Sequence, residues 1–446
     1  DADAALMDAG VDSHGAVELR NLLHSAAGGS NLPDTLIFDF PTPRKLALLL
    51  QGAVLRGGAL TGSCIVARQP SRDEDVMLDG SAVLLPCGIV SAVAAARMVE
   101  CAADVTSEVP LQRWSVDVPV PEPITSRLRH GGFAEGVSLF DNSCFGISPA
   151  EAAAMDPQQR VVLERGYSAL HECGMSRASL EQSGTGVFLG IQALEFPELL
   201  AGLAAGGSVY AATGTTHAIA CGRVSFALGL QGPCASYDTA CSAGLVATHA
   251  ARSALTLDEC HLGLASGVNL MLLPAASLGC AVAGMTSARG RCHTFDSRAD
   301  GYARSDACCA FAMRLQENSI EELSGRVILC SSASRQDGRS ASLTAPNGQA
   351  QQALRVATRA QAGTATQASA FSEAHGTGTA LGDPIEMGSY AAVALHERAS
   401  DSDAIGSVKA NVGHSEPAAG TTGLLKLILH LARSRAAPNA QLRVIN

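Results

Sequence analysis

The sequence predicts a layered α/β fold with a small all-α segment at the N-terminus. From about residue 81 onward, apolar runs alternate with amphipathic stretches, which is typical of sheets covered by helices. Hydrophobic residues make up 47% and charged residues only 16% of the 446 residues, which excludes a disordered chain. The 45 glycines follow no G-X-Y period, and no longer repeat is visible, so collagen and solenoid architectures are excluded.

The first 52 residues predict short helices and no strand. Ser13 is a favoured cap for a helix over residues 14–26, and Thr42 with Pro43 starts a second helix that runs to Leu50. Residues 53–80 contain Gly, Pro and clustered charges without a regular period, so we interpret them as a linker with a short candidate strand at 63–67.

Residues 81–446 are expected to hold the layers. Helices are predicted over 158–171 and 421–433, and buried strands over 187–191, 260–273, 310–315, 326–331 and 368–372. Residues 262–288 carry no charged side chain and are long enough to span a membrane. Asn269, Pro274 and several Ser and Gly in this run favour buried strands instead, so no membrane insertion is expected.

Charge and cysteine usage limit the partners. The formal net charge of −11, without a Lys/Arg run, argues against nucleic acid, and one Trp and five Tyr offer few stacking platforms. The fourteen cysteines form no CxxC pair and no Cys/His cluster at zinc spacing, so no metal site is expected. We therefore predict reduced thiols and a cytoplasmic location. The chain begins with Asp1 rather than Met, which indicates a piece of a longer protein.

The first candidate site is Ser13, within the string LMDAGVDSHGAVELRNLL. A Ser after Asp at a helix start is most often only a cap. Together with LPDTLIFDFPTPRKLA, however, the string resembles the acyl carrier domains of polyketide and fatty acid synthases. The resemblance implies a phosphopantetheine arm on Ser13, where the helix N-terminus stabilises a phosphodiester. His14 stands where the family usually has Leu, and the family's first helix would lie upstream, so residues 1–52 are read as a partial carrier domain.

Cys241 lies among small residues ahead of an apolar stretch, in SYDTACSAGLVATHAARSAL. A Cys between a strand and a helix start points its sulfur at the positive end of the helix, which predicts a lowered thiol pKa. Taken alone, one Cys among fourteen is more often an inert core thiol. His375 in EAHGTGTALGDPIE and His414 in KANVGHSEPAAG are equally ambiguous alone, because His in a Gly-rich loop is commonly structural.

Four strings in this order are highly specific: DPQQR, DTACSAG, EAHGTGT and KANVGH. Together they resemble the β-ketoacyl synthases of type I modular polyketide synthases. The likeness implies a thiolase-like layered αβαβα fold over 81–446. The string GTGTALG is not a dinucleotide-binding loop, because it follows a His instead of opening a strand-turn-helix unit. It also implies that the chain stops before the family's last strand, which supplies half of the oxyanion hole.

The resemblance assigns a role to each site residue. Cys241 would be the nucleophile that takes the acyl chain, and His375 and His414 would donate hydrogen bonds to the oxyanion formed when a malonyl-type extender loses CO2. Lys409 would support the His pair electrostatically, and Thr377 and Thr379 would line the pantetheine tunnel. Acyl and malonyl carrier domains are the implied partners, and a homodimer is expected.

Several departures from the family pattern are visible. The N-terminal glycine-rich Cys-Arg-Phe-Pro motif is missing, and Ala243 and Gly244 replace the serines that usually follow the nucleophile. A Ser-Asp-Ala run at 305–307 replaces Gly-Glu-Gly, so we expect disturbed backbone packing there. Glu416 is interpreted as a residue that favours the positive end of the following helix.

Three alternatives to an elongating ketosynthase remain open. A chain-passing ketosynthase would keep Cys241 but not decarboxylate, and the presence of both His375 and His414 argues against it. A degradative thiolase is disfavoured by the adjoining carrier and the EAHGTGT string. A catalytically inactive structural or dimerisation domain is kept open by the altered 305–307 run and the missing N-terminal motif.

Overall fold

The structure is a computed structural model that describes residues 2, 6, 11, 13–26, 32, 35–55, 75–116, 119–193, 195–316, 327–363, 371–396 and 404–446. The chain forms two compact units. The first unit consists of Asp1–Pro70, Ala333–Ala368 and Leu381–Asp401. The second unit consists of Ser71–Ser332, Ser369–Ala380 and Ser402–Asn446.

Strands and helices alternate over most of the chain. The strands are β1 (Val76–Leu84), β2 (Ser107–Glu108), β3 (His130–Gly131), β4 (Gly186–Gly190), β5 (Cys234–Tyr237), β6 (Gly263–Asn269), β7 (Ala307–Leu315), β8 (Val327–Leu329), β9 (Phe371–Glu373) and β10 (Ala404–Gly406). The helices are α1 (Ser13–Ala26), α2 (Leu36–Asp39), α3 (Pro43–Leu55), α4 (Ala92–Glu100), α5 (Ile124–Leu128), α6 (Pro149–Ala154), α7 (Pro157–Glu172), α8 (Arg177–Leu180), α9 (Phe196–Ala201), α10 (Ala211–Gly214), α11 (His217–Leu228), α12 (Ala243–Thr256), α13 (Pro274–Val282), α14 (Gly348–Ala362), α15 (Gly382–His396), α16 (Lys409–Val412) and α17 (Ala419–Arg433).

The first unit is helical in the residues described. Helices α1, α2, α3, α14 and α15 belong to it, and a small apolar core joins its segments. The core is formed by Ala16, Leu32, Leu36, Ile37, Leu46, Ala341, Ala345 and Ile385. The two helices predicted in residues 1–52 are confirmed, although α3 continues five residues beyond Leu50. The candidate strand at 63–67 lies outside the described residues.

In the described residues, the second unit is built on a mixed sheet of six strands in the order β5-β4-β6-β7-β1-β8. Strands β5, β4 and β6 are mutually parallel, whereas β7 pairs antiparallel with both β6 and β1. Strand β1 pairs antiparallel with β8. The parallel half therefore brings the carboxyl ends of β4, β5 and β6 to one edge, where ligand sites of α/β sheets form.

Both faces of this sheet are buried, as its apolar strands require. Alternate residues of β7 point to opposite faces: Cys308 packs with the apolar side chains of α7 and α11, and Cys309 packs with those of α12, α17 and α4. Because successive side chains of a strand diverge, these adjacent cysteines cannot form an ordinary disulfide. Both are fully buried, and burial raises the pKa of Cys308 to about 12.

Layers continue beyond α12 and α17. Helix α17 also packs on β9, and β9 pairs in parallel with β10 to form a second, two-stranded sheet. The described residues of the second unit therefore stack as helix, sheet, helix and sheet.

Most elements predicted for residues 81–446 are confirmed, with one correction. Helices α7 and α17 and strands β4, β6, β7, β8 and β9 lie at the predicted places. Strand β1, however, begins at Val76, inside the stretch interpreted as linker. Asp79 and Gly80 interrupt its apolar pattern, and a Cβ at Gly80 would lie 2.2 Å from the carbonyl oxygen of Ala169, so the strand packs directly on α7 there.

The uncharged run at 262–288 does not form one long helix. It divides into strand β6 and the nine-residue helix α13. Among the described residues, no helix combines the length and hydrophobicity that a membrane crossing needs.

Candidate active site

Cys241 stands between the end of β5 and the start of α12, as the sequence predicts. Its side chain is half-buried, and Ala240 before it adopts a left-handed backbone conformation with φ 52°. A non-glycine residue in this region is uncommon and costs about 1 kcal/mol or more. The chain therefore makes a sharp elbow that turns the thiol away from the strand direction.

The two histidines follow elements of the second sheet and its neighbouring helices. His375 comes two residues after β9, and His414 lies between α16 and a short 3-10 turn, Glu416–Ala418, that leads into α17. Gly376 after the first histidine and Gly413 before the second have φ of 48° and 88°. A side chain at Gly376 would meet Ser407 and Thr294 at 2.7 Å, so glycine is required for the loop to close there.

The structure brings the three predicted site residues together. The Sγ of Cys241 and one ring nitrogen from each histidine all lie within 4.8 Å of one another. The His375 and His414 rings meet edge to face, with centroids 5.5 Å apart. The ring of Tyr302 packs edge-on against His414 from another side, at 5.0 Å between centroids.

Both imidazoles are neutral at physiological pH. Burial, with a smaller contribution from the positive charge of Lys409, lowers the pKa of His375 to about 3. Burial and the cations Lys409 and Arg304 also hold the pKa of His414 well below its ordinary value. His414 is only 5% accessible, whereas His375 is exposed as a residue although its ring packs against that of His414. Neutral imidazoles can donate a hydrogen bond without bringing a full charge into the site.

The hydrogen bonding of His414 determines which ring nitrogen carries its proton. The backbone N–H of Glu416 donates to Nδ1 of His414 at 3.2 Å. Since Nδ1 is the acceptor and the ring is neutral, the proton resides on Nε2. His414 therefore presents an Nε2–H donor, which is the arrangement that stabilises a developing oxyanion.

The same contact bears on metal binding. A thiol and two imidazoles within 4.8 Å form a ligand set of the kind zinc takes in proteins. Ligation through Nε2 of a neutral His414 would require the proton on Nδ1, where it would face the N–H of Glu416. The donor set therefore fits oxyanion binding better than a metal ion, and the absence of a metal site stays a prediction.

The predicted effect on the thiol is wrong in direction. Burial raises the pKa of Cys241 above its ordinary value, and Lys409 opposes this rise without cancelling it. The elbow places the sulfur close to the start of α12, but desolvation of the thiolate outweighs the favourable charges. Cys241 is therefore held mainly as a thiol when no substrate is bound.

Lys409 is the first residue of α16 and is 5% accessible. Its charge acts on Cys241, His375 and His414, as the electrostatic role predicted for it requires. A second buried cation, Lys426, forms an ion pair of 2.8 Å with Glu373. The other carboxylate oxygen of Glu373 accepts from the N–H of Val408 at 2.5 Å, so this acid joins the strand before His375 to the helix of Lys409.

Two glycines let the turn after His414 lie close to α12 and β6. A Cβ at Gly244, in the first turn of α12, would lie 2.8 Å from the carbonyl oxygen of Pro417. A Cβ at Gly267, on β6, would lie 3.0 Å from the Cα of Ala418 and 2.7 Å from Oγ1 of Thr421. The glycine that replaces a family serine at 244 thus belongs to a close contact between helix and turn.

The expected disturbance at 305–307 is not found. None of these three residues has a positive φ, and all are fully buried. Asp306 binds the N–H groups of Met271 and Ala134 at 2.7 and 2.9 Å, and it forms an ion pair of 2.6 Å with Arg113. Space for Ser305 exists because Gly132 has no side chain: a Cβ there would lie 2.4 Å from Oγ of Ser305.

Glu416 does not cap α17. Its carboxylate is bound by the Arg304 guanidinium through two contacts of 2.7 Å, and no side chain caps the N-terminus of α17. The sequence did not predict the roles of four charged residues that support the site: Arg304, Glu416, Glu195 and Glu373. Few residues of this chain are charged, so a charged residue within a string of small or apolar residues, as in GYAR and EAHGTGT, could have indicated a buried ion pair.

The remaining predicted residues are placed as follows. Thr377 is buried and its Oγ1 lies 3.1 Å from that of Thr379, so the two hydroxyls share a hydrogen bond. Ser13 is the first residue of α1, in the first unit, and its side chain lies outside the described part of the chain.

Comparison with protein families identifies the family of this chain. Residues 73–318 match the model of the β-ketoacyl synthase N-terminal domain, and residues 327–443 match the C-terminal domain. The chain belongs to the β-ketoacyl synthase family. The matched ranges contain Cys241 in the first half and both histidines in the second, in agreement with the trio seen in the structure.

The relatives of this ketosynthase are modular polyketide synthases. It is 40% identical to polyketide synthase GfsB of Streptomyces halstedii over 442 residues, covering 96% of this chain and 8% of that protein. It is also 40% identical to the pikromycin synthase component PikAII of Streptomyces venezuelae over 440 residues, covering 96% of this chain and 12% of that protein. The chain thus spans about a tenth of the length of these relatives.

Solved ketosynthases share its fold. The oxazolomycin ketosynthase domain OzmH KS7 of Streptomyces albus JA3453 matches with a TM-score of 0.77 and 30% identity, over 84% of this chain and 65% of that one. The module 6 ketosynthase of the bacillaene synthase from Bacillus subtilis 168 matches with a TM-score of 0.74 and 30% identity, over 83% and 64%. The thiolase-like α/β fold inferred from the motifs is therefore confirmed.

Proposed function

We propose that this ketosynthase extends an acyl chain by decarboxylative Claisen condensation in polyketide biosynthesis. The observation that supports it most directly is the approach of Cys241, His375 and His414 to within 4.8 Å. A nucleophile and two neutral donors at this spacing match both halves of the reaction, acyl transfer to sulfur and stabilisation of an enolate.

The first half-reaction loads the enzyme. The Cys241 sulfur attacks the thioester carbonyl of an acyl chain on a carrier, the carrier thiol leaves, and the acyl group remains on Sγ. Because burial raises the pKa of this thiol, the proton must leave as the new C–S bond forms. The charge of Lys409 favours the thiolate during that step.

The second half-reaction forms the C–C bond. A malonyl-type group on a second carrier loses CO2, and the electrons of the broken bond form an enolate whose oxygen accepts hydrogen bonds from His375 and from Nε2–H of His414. The enolate carbon attacks the acyl carbonyl on Cys241, the C–S bond breaks, and the β-ketoacyl product stays on the carrier. Thr377 and Thr379 are proposed to line the path of the carrier's pantetheine.

The partners follow from this chemistry. Acyl and malonyl carrier domains deliver the two substrates, and the enzyme is proposed to act as a homodimer. Ser13 is proposed to carry phosphopantetheine within a partial carrier domain over residues 1–52, because it opens the 14-residue helix α1. The arm would supply the thiol that holds an acyl chain.

The full-length protein with malonyl carrier tests the condensation. We expect CO2 release in the wild type and its loss in His375→Ala, while that variant still forms an acyl-enzyme at Cys241. Cys241→Ala should lose acyl loading altogether. Loading without CO2 release in the wild type would contradict an elongating enzyme and favour a chain-passing one. Absence of loading would favour an inactive structural domain.

The carrier assignment has its own test. After incubation of the full-length protein with a phosphopantetheinyl transferase, the peptide that contains Ser13 should gain the mass of one phosphopantetheine, and the corresponding peptide of Ser13→Ala should not. A wild-type peptide containing unmodified Ser13 after complete treatment would reject the assignment.

A further inference from the structure

Glu416 occupies an unusual backbone conformation next to the catalytic pair. Its φ is 45°, in the left-handed region that only glycine adopts without cost. In this conformation its N–H points to Nδ1 of His414 at 3.2 Å. The proton position on His414 thus depends on a strained residue remaining where it is.

A buried ion pair holds Glu416 in place. Nε and Nη2 of Arg304 contact the two carboxylate oxygens of Glu416 at 2.7 Å each, in the parallel geometry that suits a guanidinium and a carboxylate. The Arg304 and Glu416 side chains are only 5% and 15% accessible. A pair so well shielded from water constrains geometry more firmly than a surface ion pair does.

Arg304 is itself fixed by further partners. Its Nη1 donates to Oγ of Ser277 at 2.8 Å, and Nη2 lies 3.7 Å from Oε1 of Glu195. The other oxygen of Glu195 accepts from the N–H groups of Leu272 and Leu273, at 2.6 and 2.7 Å, just before α13. The guanidinium therefore cannot turn away from Glu416 without leaving buried acids unpaired.

The backbone on either side of Arg304 also forms hydrogen bonds with the backbone of His414. The N–H of His414 donates to the carbonyl of Ala303 at 2.6 Å, and the N–H of Ser305 donates to the carbonyl of His414 at 2.9 Å. The main chain on both sides of Arg304 thus fixes His414, while the Arg304 side chain fixes the donor to its ring.

We propose that Arg304 is a positioning residue that acts through Glu416 to keep the proton of His414 on Nε2. The ion pair compensates the cost of the left-handed conformation at Glu416, and the N–H so placed excludes the tautomer with its proton on Nδ1. This inference rests on the proposed condensation for its functional meaning, since Nε2–H is the donor to the enolate.

Three substitutions at 416 in the full-length protein separate conformation from charge. Glu416→Ala removes the ion pair and keeps the cost of the left-handed backbone, so CO2 release should fall by about a hundredfold or more, as for loss of one oxyanion donor. Glu416→Gly also lacks the carboxylate but adopts a positive φ freely, so it should be clearly more active than Glu416→Ala. Glu416→Gln keeps the size of the side chain and should lie between wild type and Glu416→Ala. The exposed Glu259→Ala is the matched control and should leave CO2 release unchanged.

A direct readout of the tautomer does not depend on turnover. In protein labelled with ¹⁵N-histidine, the His414 signals, assigned by their loss in His414→Gln, should show an unprotonated Nδ1 in the wild type and an altered tautomer population in Glu416→Ala and Arg304→Lys. Equal activity of Glu416→Ala and Glu416→Gly, or an unchanged His414 tautomer in folded Glu416→Ala and Arg304→Lys, would overturn the proposal. A correct tautomer shift with no CO2 release from the wild type would instead refute the condensation and leave the positioning role standing.

Discussion

At the scale of single residues, the site is organised around suppressed charge. Burial keeps Cys241 as a thiol and both histidines as neutral imidazoles, and Lys409 works against the first effect while reinforcing the second. The only full charge of this group is the lysine ammonium. The site is therefore prepared to receive negative charge as it develops on substrate, rather than to hold it beforehand.

The neutrality of His375 predicts the pH profile of decarboxylation. Because its pKa is about 3, the imidazole stays neutral from pH 5.5 to 8.5, and CO2 release should show no acid limb near the ordinary histidine pKa of 6.5. Stopped assays of CO2 release from malonyl carrier across that range measure this. An acid limb centred near pH 6.5 in the wild type would contradict the low pKa of His375.

The opposing effects on Cys241 predict its alkylation behaviour. Lys409→Met removes the charge that favours the thiolate, so the pKa of Cys241 should rise further and its reaction with iodoacetamide at pH 8 should slow several-fold. Peptide mass spectrometry gives the rate at each cysteine. The exposed Cys101 in the same protein serves as an internal reference whose rate should not change. Equal Cys241 rates in both proteins would show that Lys409 does not act on the thiol.

At the scale of elements, the site depends on how closely a turn can approach a strand and a helix. The turn after His414 lies against Gly244 of α12 and Gly267 of β6, and neither position has room for a Cβ. Backbone atoms rather than flexible side chains line much of this contact. A single added methyl group must therefore move the turn, and His414 with it.

Gly267→Ala should thus impair catalysis more than it impairs folding. Its Cβ would contact Ala418 and Thr421, displace the turn and lower CO2 release at least tenfold, while acyl loading at Cys241 is less affected. The control is Gly279→Ala on α13, where nothing lies within 4 Å of the new Cβ. That substitution should leave activity intact and stabilise the helix by about 1 kcal/mol. Parallel loss of activity in both variants would contradict the close-approach argument.

At the scale of the whole molecule, the sequence predicted the layers well. The periodicity of apolar residues and the order of strands and helices along the chain are both visible in the sequence. Uncharged runs became buried strands. The four motifs singled out Cys241, His375 and His414, which are far apart along the chain and which the fold brings within 4.8 Å of one another. No local pattern, however, encodes the net effect of burial on a thiol or the partner of a buried acid. Arg304 and Glu416 are far apart in sequence, so their pairing emerged only from the fold.

A similar limit applies to the DPQQR motif, which the sequence located but did not explain. Asp156 caps α7 by accepting from the N–H of Gln158 at 2.8 Å, and it is 3% accessible. Gln159 accepts from Nε of Arg223 at 2.9 Å and donates to the carbonyl of Thr213, so the motif fastens α7 to α11 and to α10. In the structure, the DPQQR motif therefore holds α7 against α10 and α11.

Asp156 should make global stability depend on pH. Burial raises its pKa from 3.8 to about 6, so the folded state binds more protons than the unfolded state between these values, and the free energy of unfolding falls as pH rises through that window. Asp156→Asn keeps an oxygen acceptor for the cap but does not titrate, so the stability of wild type relative to the variant should fall by about 2 kcal/mol from pH 4 to pH 7. Urea unfolding at both pH values measures this difference. Identical pH slopes for the two proteins would contradict it.

The order of the catalytic residues along the chain has a consequence for synthesis on the ribosome. Cys241 and the six-stranded sheet that places it are complete once residue 329 has been made, whereas His375, Lys409 and His414 follow later. A nascent chain of that length already holds the proposed nucleophile but has neither of the histidines proposed to stabilise the enolate. In the proposed mechanism, carbon–carbon bond formation therefore cannot begin before His414 has been made, whereas the sheet that places Cys241 is already complete.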